Sequence, residues 1–159
     1  MWKDDEEIVK TCLWSISYLS DGTDSIQSSI ISTGCIPKIL EYAKMKSRKL
    51  QAPSLRILGN LAAGDLKISE KLIDESVIKI IIDLIKSCDS SELLKEIMWI
   101  LNNLSQSSIK VINSMIEDNN LNEILKSILE YGDDRVNKIL FRVVIKCLLF
   151  TTTMQNSVI

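Results

Sequence analysis

The chain has 159 residues, a formal charge of −2, five glycines, two prolines and no histidine. That length allows one domain with a real core, and the scarcity of turn residues disfavours a β-sandwich or barrel. Near-neutral charge with dispersed Lys and Arg gives no case for nucleic-acid binding, and the missing histidine removes the commonest general base, the usual catalytic triads and most zinc sites.

The acidic opening "MWKDDEEIVK" is unlike a signal or transit peptide and reads as the solvated start of a helix, favoured by the helix dipole. That helix should run over 6–20, with Trp14 and Tyr18 four apart on one face. "SIQSSIIS" (25–32) predicts a short helix ending at Gly34, where a residue tolerant of turn conformations helps. "IPKILEYAKM" predicts a second helix, with Pro37 suited to its first turn. A longer third helix is expected over 52–63, with Pro53 near its start and Arg56 and Asn60 four apart. The order then repeats. Helices are expected over 67–74, 78–87 and 91–105, with a break at Ser76, the link "SCDSS", and Trp99 and Asn103 on the third. A final round covers 109–118, 121–130 and 133–150, with a break at Asn119 and Arg142 and Lys146 on the third. Leu55, Leu58, Leu61, Met98 and Met115 fall at core spacing. The apolar run "SVIKIIIDLIK" is broken by Lys79 and Asp83 and is too short to span a bilayer.

The repetition keeps one period. Trp14, Arg56, Trp99 and Arg142 are separated by 42, 43 and 43 residues, as are Tyr18, Asn60, Asn103 and Lys146. Gly34, Ser76 and Asn119 form a third series, Ile36, Ile78 and Leu121 a fourth, and Ile39, Ile81 and Ile124 a fifth. Three helices in such a unit is the armadillo/HEAT period. The expected fold is an all-α, right-handed α-solenoid of roughly three and a half armadillo repeats forming a single domain. Residues 1–22 supply the third helix of a truncated repeat, and 23–64, 65–107 and 108–159 the later repeats, the last with a C-terminal tail. The third helices should line the inner face, where Trp14 faces either the groove or a repeat that would precede it. Neither end carries a polar cap, which predicts a fragment or a chain that self-associates through its ends.

The four cysteines make no CxxC pair and read as reduced, mostly buried small hydrophobes of a cytosolic or nuclear protein. No nucleophile–base pair, metal cluster or phosphate loop is visible, so neither an enzyme nor a cofactor is expected.

"LWSISYLSDG", "PSLRILGNLAAG" and "IMWILNNLS", in this order and spacing, resemble the second half of the importin-α (karyopherin-α) armadillo array. In that family a Trp/Tyr repeat ending in "SYL-S/T-DG" precedes an "LR-x-x-GN" repeat, after which Trp/Asn repeats resume. The resemblance implies an adaptor of cytoplasm and nucleus that holds basic nuclear localisation signals, extended along the groove. Asn60 and Asn103 could then bind peptide backbone, since an amide both donates and accepts. Trp99 could hold a lysine stem and attract its ammonium, at about 0.5–2 kcal/mol per contact.

By the same resemblance Gly64, Ser69, Ala62 and Asn103 would form a lysine pocket. Asp21 would lie near the peptide's linker path, and Glu96 would be a groove carboxylate able to pair with a basic side chain. Arg56 is open to three readings: a solvated charge, a cation stacked on Trp99, or a ligand contact. The chain departs from the family at Ile139, Arg142 and Lys146, where Glu and a Trp/Asn frame would stand. Trp99 thereby loses its slot partner, and two cations would repel a basic ligand. The basic segment through which the family binds importin-β has no counterpart here. A divergent armadillo interaction scaffold that no longer binds localisation signals is the alternative reading.

Overall fold

A computed structural model describes residues 5–88, 90–117, 122, 124–126 and 134–156, with backbone alone at 135 and 150–156. Nine α-helices are delimited among the described residues: α1 Glu6–Ser20, α2 Asp24–Ser32, α3 Ile36–Ala43, α4 Arg48–Ala62, α5 Leu66–Asp74, α6 Val77–Lys86, α7 Ser91–Leu104, α8 Ile109–Ile116 and α9 Asp134–Asn156. Residues 122 and 124–126 are also helical. The rest of the expected helix over 121–130 and the break at Asn119 lie outside the described residues.

Local chemistry sets the helix ends. Asp5 accepts from the Glu7 amide at 3.0 Å, Asp65 from Ile68 at 2.9 Å and Ser90 from Leu93 at 3.2 Å, each satisfying an otherwise orphan donor. Between first and second helices the chain turns through left-handed backbone, at Gly34 with φ 71° and at Ser76 with φ 61°. Glycine takes that conformation freely, whereas serine pays about 1–2 kcal/mol in steric strain. α4 begins at Arg48, four residues before the expected start, because the amides of Leu50 and Gln51 already close a turn on the Ser47 carbonyl, at 3.1 and 2.9 Å. Pro53 therefore sits inside the helix rather than near its start, where its missing N–H forgoes one ladder bond.

The helices stack by class. α1 packs on α4, α4 on α7 and α7 on α9; α2 lies against α5 and α5 against α8; α3 and α6 rest on α4 and α7. This nearest-neighbour order is that of a solenoid, with a core running continuously between repeats. Leu55, Leu58, Leu61, Met98 and Met115 are fully buried in it, as their spacing predicts. The cysteines depart from expectation: Cys12 is exposed, Cys35 and Cys88 are half-buried, and only Cys147 is buried. Cys12 lies on the side of α1 turned away from α4, where nothing covers it. Burial pushes the Cys147 thiol above its ordinary range. No helix among the described residues is long and apolar enough to cross a membrane.

Candidate peptide-binding groove

Stacking the third helices in register brings positions 42 to 43 apart onto one side. Trp14, Ser17, Tyr18 and Asp21 from α1 and its cap, Arg56 and Asn60 from α4, and Trp99 from α7 surround a cavity of about 250 Å³. A second cavity of about 190 Å³ lies at the C-terminal end of α4, lined by Ala62, Ala63, Gly64, Leu66, Asn103, Gln106 and Ser107. Every candidate binding residue named from the sequence lines one of the two, except Ser69 and Glu96. A larger open depression of about 810 Å³ lies between α5 and α8 and contains no frame residue.

The asparagines hold the repeats together before they can hold anything else. Asn60 is 8% exposed, and its Nδ2 donates to the Ser17 carbonyl and to Ser20 Oγ, each at 3.0 Å. Both of its N–H groups are thus committed to α1, which leaves Oδ1 as what Asn60 can offer a peptide. Asn103 repeats the device one unit later, donating to the Gly59 carbonyl at 3.0 Å. Its side chain makes no other hydrogen bond among the described residues, so one side-chain N–H and Oδ1 remain unengaged. The expectation that both amides present donors to a peptide backbone is corrected at Asn60.

Trp99 is half-buried, and one ring edge is seated on Gly59: a Cβ built there would stand 2.1 Å from Cζ3. Only glycine lets α4 and the indole come this close. The ring's face is covered by Arg56, whose Cζ lies 5.3 Å from the centroid, while its Nη2 meets Glu96 Oε1 at 2.9 Å. Of the three readings of Arg56, the structure has it stacked on Trp99. Glu96 is accordingly paired within the chain. Trp14 and Tyr18 face the same cavity with their rings 6.2 Å apart, and Tyr18 is largely exposed.

Gly64 has an internal reason to be glycine. A Cβ there would stand 2.1 Å from Gln27 Oε1, and Gln27 is buried, its Nε2 donating to the carbonyls of Ser20 at 2.8 Å and Asn60 at 3.2 Å. Gln27 therefore ties α2 to the ends of α1 and α4. Ser69 is fully buried. Its hydroxyl bonds the carbonyls of Asp65 and Leu66 at 3.2 and 3.1 Å, and it contacts Ser107 Oγ. Ser69 thus does not line the lysine-pocket cavity expected of it; it fastens Ser107, which does. Ser17, Gly59, Gln27 and Ser107 shape the groove and were not singled out from the sequence. The "GN" pair and the lone polar residue at the buried position of α2 were the available signals.

The departures on α9 stand as the sequence suggests. Arg142 is exposed, Lys146 and Ile139 are half-buried, and Ile139 packs against the core. Burial, then the Arg142 charge, holds the Lys146 ammonium below its ordinary value. No tryptophan from α9 stands beside Trp99.

No protein-family model matches the chain. It is 29% identical over 112 residues to importin subunit alpha-1a of Oryza sativa, covering 70% of this chain and 21% of that protein. It is 33% identical over 115 residues to importin subunit alpha-9 of Arabidopsis thaliana, covering 68% and 22%. With importin subunit alpha-2 of Caenorhabditis elegans it shares 31% identity over 97 residues, covering 61% and 18%. The chain thus spans about a fifth of the length of these relatives. Among solved structures, a designed armadillo-repeat protein in complex with the peptide (KR)4 superposes with a TM-score of 0.82 at 19% identity, over 91% of this chain and 60% of that one. The recurring helix triplets, the Trp/Asn frames in register and these relatives agree: the chain is an armadillo-repeat homologue of the importin α subunits.

Proposed function

We propose that this chain is part of a nuclear-import adaptor and takes a Lys/Arg-rich localisation segment, extended across α1, α4 and α7. The observation that carries this reading is the convergence of Trp14, Tyr18, Asp21, Asn60 and Trp99, from three successive repeats, on one cavity. The aromatic rings offer surface for lysine stems, and Asp21 supplies a carboxylate. The neighbouring cavity at the end of α4 adds the negative end of a helix dipole and the amide of Asn103, a setting suited to an ammonium group. A designed armadillo neighbour in complex with (KR)4 supports this class of ligand. Ala62 and Gly64 form the walls of that second cavity, and Ser69 acts behind it through Ser107. Importin-β as a partner, and residence in both cytoplasm and nucleus, belong to the same proposal for the longer protein that the relatives represent.

One observation favours a second reading. Arg56 occupies the face of Trp99 and neutralises Glu96, and Arg142 and Lys146 add cations on the next helix. An interaction scaffold without localisation-signal binding would tolerate that arrangement. Fluorescence anisotropy of a labelled Lys/Arg-rich peptide, against an alanine-substituted control peptide, separates the two. Saturable binding that weakens in Trp99→Ala and Asn103→Ala supports the adaptor. A folded chain that binds neither peptide leaves the scaffold.

A further inference from the structure

The depression between α5 and α8 and the cavity at the end of α4 meet at a shared rim, because Leu66 and Ser107 line both. Beyond that rim the depression is a furrow with apolar walls. Leu66 and Ile109, each the first residue of its helix, are 57% and 53% exposed. Ile73 follows Leu66 at i+7, on the same face of α5. Asn113 of α8 also lines the furrow. It is exposed, and its side-chain amide makes no hydrogen bond among the described residues, so it can serve an extended backbone as donor and acceptor.

Charge narrows the ligand further. Glu70 and Glu117 line the furrow and form no ion pair among the described residues, whereas the lining cation, Lys110, is held by Asp74 at 2.7 Å. Two open carboxylates beside an exposed leucine and isoleucine suit a segment that is apolar and basic together. The preceding pair of first helices lacks this arrangement. One repeat earlier Asp24 takes the place of Leu66, and Leu66 that of Ile109, so the exposed apolar pair is broken by an aspartate.

We infer, resting on the groove reading above, that a basic peptide held in the groove continues over this rim and sets a large apolar side chain between Leu66 and Ile109. Lys or Arg side chains next to it reach Glu70 and Glu117, their stems lying along the apolar walls. From Leu66 to Ile73 the furrow runs about 10 Å along α5, room for about three extended residues. The chain thereby selects among basic segments by what flanks them. The groove itself supplies no such choice, since its rings and amides meet lysine stems and backbone.

Fluorescence anisotropy tests this with labelled peptides that share one Lys/Arg-rich core and carry Lys-Leu-Lys or Lys-Ser-Lys on either side of it. Wild type should prefer the leucine flank on one side by roughly 4- to 12-fold, half the worth of burying a leucine fully. Ile109→Ser should abolish that preference and leave the serine-flanked peptides bound as in wild type. Trp99→Ala should weaken every peptide and keep the ratio. Should Ile109→Ser lose helicity by circular dichroism, Glu117→Lys replaces it and should erase the same preference by repelling the flank's lysines. Equal affinity for leucine and serine flanks overturns the inference while leaving the groove reading intact. A preference that survives Ile109→Ser overturns it too, because the leucine then sits elsewhere. Leucine flanks that bind as tightly on an alanine-substituted core also overturn it, since the furrow then acts apart from the groove. A folded chain that binds none of the peptides overturns the groove reading, and this extension with it.

Discussion

Gly59→Ala sets two well-understood effects against each other. Alanine is the better helix former by about 0.8–1 kcal/mol, and Gly59 lies in the interior of α4. A methyl group there would meet Trp99 at 2.1 Å from Cζ3, 2.4 Å from Cε3 and 2.9 Å from Cη2. A ring edge packed between helices cannot yield as the tip of a lysine would, so α7 must move or the indole must turn. Overpacking of this kind costs about 1–3 kcal/mol. The hydrogen bond from Asn103 to the Gly59 carbonyl, at 3.0 Å, is strained with it, at about 1 kcal/mol more. The clash outweighs the propensity gain, leaving about 1–3 kcal/mol of destabilisation. For a chain of this size that is a fall of roughly 3–9 °C in Tm. Calorimetry gives the number, and tryptophan emission should shift as the Arg56 stack opens. A Tm at or above wild type with unchanged emission would refute the seating of Trp99 on Gly59.

Gly64→Ala should destabilise by about 1–2 kcal/mol, and by less in a Gln27→Ala background, because the obstructing amide is gone; a double-mutant cycle in urea measures the difference. Asn60→Ala removes two buried hydrogen bonds, to the Ser17 carbonyl and to Ser20 Oγ, while the Ser17 carbonyl keeps the Ser20 hydroxyl as a donor; at about 0.5–1.5 kcal/mol each the loss should be about 1–3 kcal/mol, read from the urea midpoint. Arg56→Ala exposes the Trp99 face and frees Glu96, so a basic peptide should bind tighter by roughly 2- to 30-fold, the worth of one cation–π contact; weaker binding would make Arg56 a ligand contact instead. Glu7 is held at about 2 from an ordinary 4.5 by hydrogen bonds to Lys10 and Lys49. A depressed folded value means its contribution is complete above the ordinary value and is lost as pH falls from there toward about 2. The stability gap between wild type and Glu7→Gln should therefore close across that interval, and shrink with added salt because Glu7 and Lys49 are both more than half exposed.

The period made the fold legible. Series such as Gly34 and Ser76 fixed the turns before their left-handed backbone was seen, and the Trp/Arg/Trp series fixed which side of each third helix shares a surface. What the period could not supply was depth. Spacing of i and i+4 gives a direction around a helix axis, but not how closely the next helix stands on that side. Gly59 lets α7 approach, and that approach turns Asn103 into a cross-repeat bond and brings Trp99 beneath Arg56. Asn60 looked like a groove residue by direction and is 8% exposed by depth. Ser69 was named from the sequence but lies behind the cavity for a related reason: its hydroxyl satisfies carbonyls of its own helix turn and meets Ser107, an arrangement that spacing does not reveal. The early start of α4 escaped because Pro53 is an ordinary start signal, yet here a complete turn precedes it.

The central claim is that one groove across α1, α4 and α7 holds a basic extended peptide. Its most direct test is fluorine NMR of the chain carrying 5-fluorotryptophan, titrated with a Lys/Arg-rich peptide. The account predicts that the Trp14 and Trp99 resonances move together and saturate, and that the alanine-substituted peptide moves neither. Saturable binding with both resonances unmoved, or no binding by a fully helical chain, would contradict it.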